Sequence, residues 1–321
     1  MTVVELRPLS LGELLDRIFT LYRQHVGLFA GIMALPTLAG LGIVLINPQQ
    51  QNPVEAFRVA TGSPSAGSPP VLGPDVFLWI LLFTAMYWLL FSVALAASAI
   101  AVSDVQLGRP ATIAGSYRRV RGKIIRLAVM MVAMILAVFG AVFVGALVAM
   151  IPAIAIGVLF AAASGVAAAI VGMLAGLLGV VAGFGLALWA MAGMGVALPA
   201  LALEDLSISK AFERSWNLTK GYRRRIILIF ALALVLMYVA AFVFQGPFWV
   251  AMALVGENSA VMPTLGYLAS LSGLLGQALI SPLGMIGVVL VYFDLRVRKE
   301  GLDLKLMMES LQPGAAPPAA S

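Results

Sequence analysis

Between residues 127 and 203 the chain carries no Asp, Glu, Lys, Arg or His. A helix that is apolar all round is either buried in a large protein or surrounded by lipid. The rest of the chain decides between these. Four further apolar runs, residues 26–46, 76–102, 226–250 and 265–293, each reach the length of about 20 residues that crosses roughly 30 Å of hydrocarbon. Of the 321 residues 62% are hydrophobic and 11% charged, whereas soluble domains carry roughly 25% charged residues. So little polar material cannot cover a compact soluble body. The expected fold class is therefore an all-α integral membrane protein.

Positive charge dictates how the uncharged stretch divides, because Lys and Arg accumulate on the cytoplasmic side of spans. Arg7, Arg17 and Arg23 precede the first run, and Arg109, Arg118, Arg119, Arg121, Lys123 and Arg126 follow the second. Lys210, Arg214, Lys220, Arg223, Arg224 and Arg225 follow the uncharged stretch, and Arg296, Arg298, Lys299 and Lys305 follow the last run. Only Arg58 falls in a segment left for the other side. Three helices in 127–203 would place Lys210 to Arg225 outside. Two long or bent helices, broken near Pro152 or around Ser164 and Gly165, keep them inside, and a re-entrant half-helix over 152–160 is compatible with that count. The expectation is six spans with both termini cytoplasmic. Segments 47–75, rich in Pro, Gly, Ser and Gln, and 256–264 are left as outer loops. The start lacks the short basic region and the apolar core of about 7–15 residues of a cleaved signal, so the first run reads as an anchor.

The chain repeats itself. Leu9-Ser10-Leu11-Gly12-Glu13-Leu14-Leu15-Asp16-Arg17-Ile18 aligns without gaps on Leu206-Ser207-Ile208-Ser209-Lys210-Ala211-Phe212-Glu213-Arg214-Ser215, and a weaker copy is Ala111-Thr112-Ile113-Ala114-Gly115-Ser116-Tyr117-Arg118-Arg119-Val120. Each copy opens on a Ser or Thr suited to cap a helix, and Ser10 with Glu13 has capping-box spacing. Each then continues as a short amphipathic helix of the kind that lies in the membrane interface, followed at once by a hairpin of spans. Residues 1–312 thus read as one membrane domain of three parallel units, roughly 9–105, 111–205 and 206–294. A short cytoplasmic amphipathic segment (300–311) and a disordered Pro/Ala-rich tail (313–321) follow.

Chemistry-bearing candidates lie at the helix ends. Arg17, Arg119 and Arg214 are equivalent in the three copies, and the hairpins finish in Asp104, Glu204–Asp205 and Asp294. These acids are expected to pair with the repeat arginines and tie each interfacial helix to a hairpin end; the alternative is that all are solvated flanking charges. The basic clusters Arg118, Arg119, Arg121, Lys123 and Arg223, Arg224, Arg225 are expected to attract anionic lipid headgroups. Because every cluster abuts a span, the net charge of +6 reflects topology and gives no reason to expect nucleic acid. Ionisable groups within spans mark transport paths, and here only the terminal Arg126 and Asp294 qualify. Gln245, ahead of a helix-interrupting Gly246–Pro247, and Gln277 are the candidates for a solute path, with interhelical hydrogen bonding as the alternative. Gly172, Gly176, Gly179 and Gly183 form a small-residue stripe for close helix packing. With no cysteine and His25 alone, material for a catalytic or metal-binding cluster is lacking, and neither enzyme activity nor a cofactor is expected.

Three segments carry a family likeness: Arg7-Pro8-Leu9-Ser10-Leu11-Gly12-Glu13-Leu14-Leu15-Asp16-Arg17; Leu203-Glu204-Asp205 through Ser215-Trp216-Asn217-Leu218-Thr219-Lys220-Gly221; and Tyr292-Phe293-Asp294-Leu295-Arg296-Val297-Arg298-Lys299-Glu300-Gly301-Leu302-Asp303. In these the chain resembles the membrane domain of glycerophosphoryl diester phosphodiesterases, which also occurs as a free-standing prokaryotic membrane protein. In the fused members hydrolysis belongs to a separate soluble barrel, so the resemblance implies a prokaryotic cytoplasmic membrane and a supporting role, without the activity. The resulting expectation is a non-catalytic scaffold or anchor for membrane lipids and for other membrane or cytoplasmic proteins. The alternatives are a transporter or channel for a lipid-like or amphipathic solute, and an accessory subunit of a glycerophosphodiester hydrolase.

Overall fold

The computed structural model describes residues 8–46, 74–161, 165–255 and 260–301, which are all-helical with no strand among them. In chain order the helices are α1 (Leu11–Gln24), α2 (Val26–Ile46), α3 (Pro74–Gln106), α4 (Ile113–Val120), α5 (Ile124–Ala161), α6 (Gly165–Met194), α7 (Ala197–Glu204), α8 (Ile208–Thr219), α9 (Arg223–Val255) and α10 (Met262–Glu300). Helices α2, α3, α5, α6, α9 and α10 supply six stretches long and apolar enough to cross a membrane. Most of the segment expected to be amphipathic, the tail and most of the first outer loop lie outside the described residues.

Short helices start where the sequence supplies caps. The Ser10 Oγ accepts from the Glu13 N–H at 3.3 Å, and the Glu13 carboxylate accepts from the Ser10 N–H at 2.7 Å, a complete capping box for α1. Thr112 caps α4 by accepting from the Gly115 N–H at 3.1 Å, whereas the Ser207 hydroxyl makes no capping bond to α8. Gly108 and Gly221, both at positive φ, turn the chain after α3 and α8. The three short helices bury matching positions. Leu14, Ser116 and Ala211 stand at the same offset and are fully buried, as are, four residues on, Ile18, Val120 and Ser215, or nearly so. One face of each helix therefore belongs to the core.

The most extensive packing is within the hairpins α2–α3, α5–α6 and α9–α10, and α10 also packs on α1, α2, α3, α7 and α8. The main core lies in one half of the bundle, toward the charged helix ends. In α3 the run from Ser92 to Val102 is buried whereas Leu78, Trp79, Leu81 and Leu82 are exposed, and in α10 burial concentrates between Ser281 and Val297. A small cluster of Met252, Met262 and Ala269 closes the opposite tip of α9 and α10.

Several sequence expectations meet corrections here. Helix α5 runs through position 152 to Ala161, so the stretch 152–160 forms the end of a long helix and not a re-entrant segment. Helix α9 continues through Pro247; proline removes one backbone hydrogen bond, which a long helix packed on a neighbour tolerates. Of the glycine stripe, Gly183 meets Gly145 of α5 so closely that a Cβ on Gly145 would collide with the Gly183 backbone, whereas Gly172 and Gly176 face open space. A break unforeseen in the uncharged stretch separates α6 from α7 after Met194. The carbonyl of Gly193, left without a helical partner there, accepts from the hydroxyls of Ser215 at 2.8 Å and Thr219 at 3.3 Å.

Candidate functional site at the charged end of the bundle

The ends of α3, α7 and α10 each present a carboxylate to the helix that follows or closes on them. Asp104, nearly buried at the end of α3, receives both ends of the Arg119 guanidinium of α4, one contact at 3.2 Å and the other closer. Glu204, at the end of α7, receives Arg214 of α8 in a fork at 3.0 and 3.1 Å. Tyr292 donates its hydroxyl to the same carboxylate, and Arg296 stands 3.5 Å away. Glu300 completes this cluster against Arg214 and, at 3.2 Å, Arg296. Burial works against the Arg214 charge, but the hydrogen bonds it donates to Glu204 and Glu300 outweigh it and hold the guanidinium above its usual range.

The third tie has a different form. Asp294 on α10 accepts from the Leu9 N–H at 2.9 Å and from Arg298 at 2.9 Å, with Arg225 at 3.4 Å. Arg225 and Arg298 both reach back to the Leu9 carbonyl, at 2.6 and 2.5 Å. The end of the last hairpin thus grips the backbone immediately before α1. Arg17, expected to pair with a hairpin acid, has no ion pair among the described residues, and burial alone pulls it below its ordinary range. The pairing is pre-empted because Asp294 is already held by two arginines and a backbone N–H. Asp205, exposed and in the left-handed region at the end of α7 (φ 49°), takes Lys123 and Arg126 at 3.3 Å each. Lys123 also donates to the Ala202 carbonyl at 3.0 Å, and Lys299 covers the end of α8 by donating to the carbonyls of Asn217 and Lys220.

The seven residues read as lipid contacts therefore divide. Arg119, Lys123 and Arg225 hold acids and carbonyls, whereas Arg118, Arg121 and Arg224 are exposed and have no ion pair among the described residues. Arg223 is a separate case: its guanidinium carbon sits 3.9 Å from the ring centroids of both Trp189 and Trp216. The two indoles meet edge to face at 4.9 Å. Sequence patterns hold no signal for this stack, since its members come from α6, α8 and α9; only the bare Gly193, which admits the Trp216 ring, is suggestive in retrospect.

The two glutamines read as a solute path both lie along α10, Gln245 packing one helical turn before Gln277. Gln277 of α10 hydrogen-bonds the Tyr87 hydroxyl of α3, whereas Gln245 of α9 lies over Gly273. A cavity of about 50 Å³ between α1, α9 and α10 is lined by apolar residues such as Leu15, Phe19, Phe230 and Leu283, and by neither glutamine. Among the described residues no group of His, Asp and Glu is placed to hold a metal ion. What the charged end can do is join helices and present the remaining arginines. Comparison of the chain with models of protein families, with curated proteins and with solved structures finds no match.

Proposed function

We propose that this chain is a non-catalytic scaffold of a prokaryotic cytoplasmic membrane. In this reading three parallel units of interfacial helix plus hairpin set a rigid basic platform at the cytoplasmic face, where it holds lipids and membrane or cytoplasmic partners. One observation carries it: each hairpin-end acid holds the start of a neighbouring unit, through Asp104–Arg119, Glu204–Arg214 and Asp294–Leu9, so the charged end closes on itself. The shared buried offsets of α1, α4 and α8 support three equivalent units, and the placement of Lys and Arg supports the cytoplasmic side. Side chains committed to ties of this kind hold the fold in place, which leaves Arg118, Arg121 and Arg224 to face lipids or partners. The likeness to a phosphodiesterase membrane domain makes a glycerophosphodiester hydrolase one partner of interest. The transport alternative gains no support from Gln277, whose amide is engaged by the Tyr87 hydroxyl.

The test is gentle extraction of the full chain from its native membrane, followed by native mass spectrometry. A discrete hetero-complex or homo-oligomer is the expected species. A lone monomer, together with solute flux in reconstituted vesicles, would replace the scaffold by a transporter.

A further inference from the structure

Of the half-buried arginines at the charged end, Arg17 and Arg223 hold no carboxylate among the described residues. Arg119, Arg214, Arg225, Arg296 and Arg298 all hold carboxylates. Unlike Arg17, Arg223 lies in the corner of two perpendicular indoles, 3.9 Å from each ring centroid, and no acceptor among the described residues meets it. Its Nε is buried and without a hydrogen-bond partner, and no acid occupies the first turn of α9. Packing against aromatic rings shields a guanidinium face from water while leaving in-plane N–H groups to hydrogen-bond, the edge that matches phosphate oxygens two at a time. A cation ordered in this way and lacking an anion is preorganised for one. Trp189 and Trp216 themselves remain 46% and 37% exposed, as amphipathic rings are at the headgroup level of a bilayer. Arg224 and Lys220, both exposed, add positive charge beside the stack.

We propose that Arg223, held in the corner of Trp189 and Trp216, is a binding site for a phosphate group, supplied by the headgroup of a membrane lipid. The assignment rests on the reading above only in placing this end of the bundle at the membrane interface. Unlike the diffuse attraction of a basic cluster, it makes one arginine and its two aromatic walls decisive.

The probe is phosphatidylglycerol, titrated onto the full chain in mild detergent and counted by native mass spectrometry. Arg223→Gln is expected to weaken the tightest bound lipid by at least about ten-fold, the scale of a lost charged hydrogen bond. Arg223→Lys should weaken it nearly as much, because lysine keeps the charge but loses the planar fork. Lys210→Gln, with the same net charge as Arg223→Gln and exposed on α8, should change it by less than about two-fold, since an exposed charge contributes little. Equal losses in Arg223→Gln and Lys210→Gln, or full retention in Arg223→Lys, would overturn the site in favour of diffuse charge. Competition by soluble glycerol phosphate at matching affinity would overturn the lipid as the source. Should the Arg223 variants not fold, Trp189→Leu removes one wall with every charge in place, and unchanged lipid retention there would equally sink the idea. An unmutated chain that binds no phosphatidylglycerol while its partner or oligomer is captured would fault this inference alone; one that binds the lipid but yields neither partner nor oligomer would fault the scaffold.

Discussion

Asp294 and Ser116 show how differently two buried polar side chains can be treated at this end of the molecule. Asp294 is almost wholly buried, yet a backbone N–H and two guanidinium groups converge on it. Ser116 is fully buried and its hydroxyl has no partner. A buried hydroxyl without a hydrogen bond costs about 1–3 kcal/mol, and the equivalent positions in α1 and α8 are filled by Leu14 and Ala211. Ser116→Ala is therefore expected to stabilise the protein by about 1 kcal/mol, read as a rise in Tm of the detergent-solubilised chain. A fall in Tm would show that the hydroxyl is engaged. Residue types at the helix ends were legible in the sequence: it offered Arg119 for Asp104 and Arg214 for Glu204, and the structure pairs both. The fate of Arg17 was not legible. Equivalence in a repeat says which charge stands at a position but not which competitor arrives first, and here Arg225, Arg298 and the Leu9 backbone occupy Asp294.

At the scale of elements, apolar length announces the spans, and helix ends are harder to place. Helix α5, with 38 residues, is about 57 Å long at 1.5 Å per residue, well beyond roughly 30 Å of hydrocarbon. Such a helix must tilt or extend past the bilayer. Pro152 and Pro247 suggested interruptions, but a proline within a long helix removes only one hydrogen bond and need not end it. The break that does occur, after Met194, precedes Pro199 and depends on Ser215 and Thr219 from another helix to satisfy the freed Gly193 carbonyl, a partner that local sequence cannot reveal. The glycine stripe was visible by its spacing, but its register against α5 was not. Gly145→Leu is expected to force α5 and α6 apart and destabilise the hairpin by about 1–3 kcal/mol, the usual range for overpacking. Gly172→Leu, which points into open space, should leave Tm unchanged within error. Equal losses in the two variants would mean that the stripe packs elsewhere.

For the whole molecule, the decisive step is closure of the last hairpin onto the start of α1. The grip of α10 on the backbone before α1 joins residues separated by almost the full chain, and the burial of α10 beneath α1, α2 and α3 makes it the axis on which the others settle. Closure brings the charged ends together, and the proposed platform puts this end in the cytoplasm, the side on which basic residues accumulate. The chain contains no cysteine, so a single introduced thiol reports its side without a background. Lys210→Cys, exposed on α8 between the fourth and fifth spans, is expected to react with a membrane-impermeant maleimide only after the cells are opened. Ser65→Cys, between the first and second spans, is expected to react in intact cells. Positions 65 and 210 are separated by three spans in this topology, an odd number, so they must fall on opposite sides. Labelling of both from outside would require a different number of crossings between them, and the parallel units and the ring they form at the cytoplasmic face would fall together.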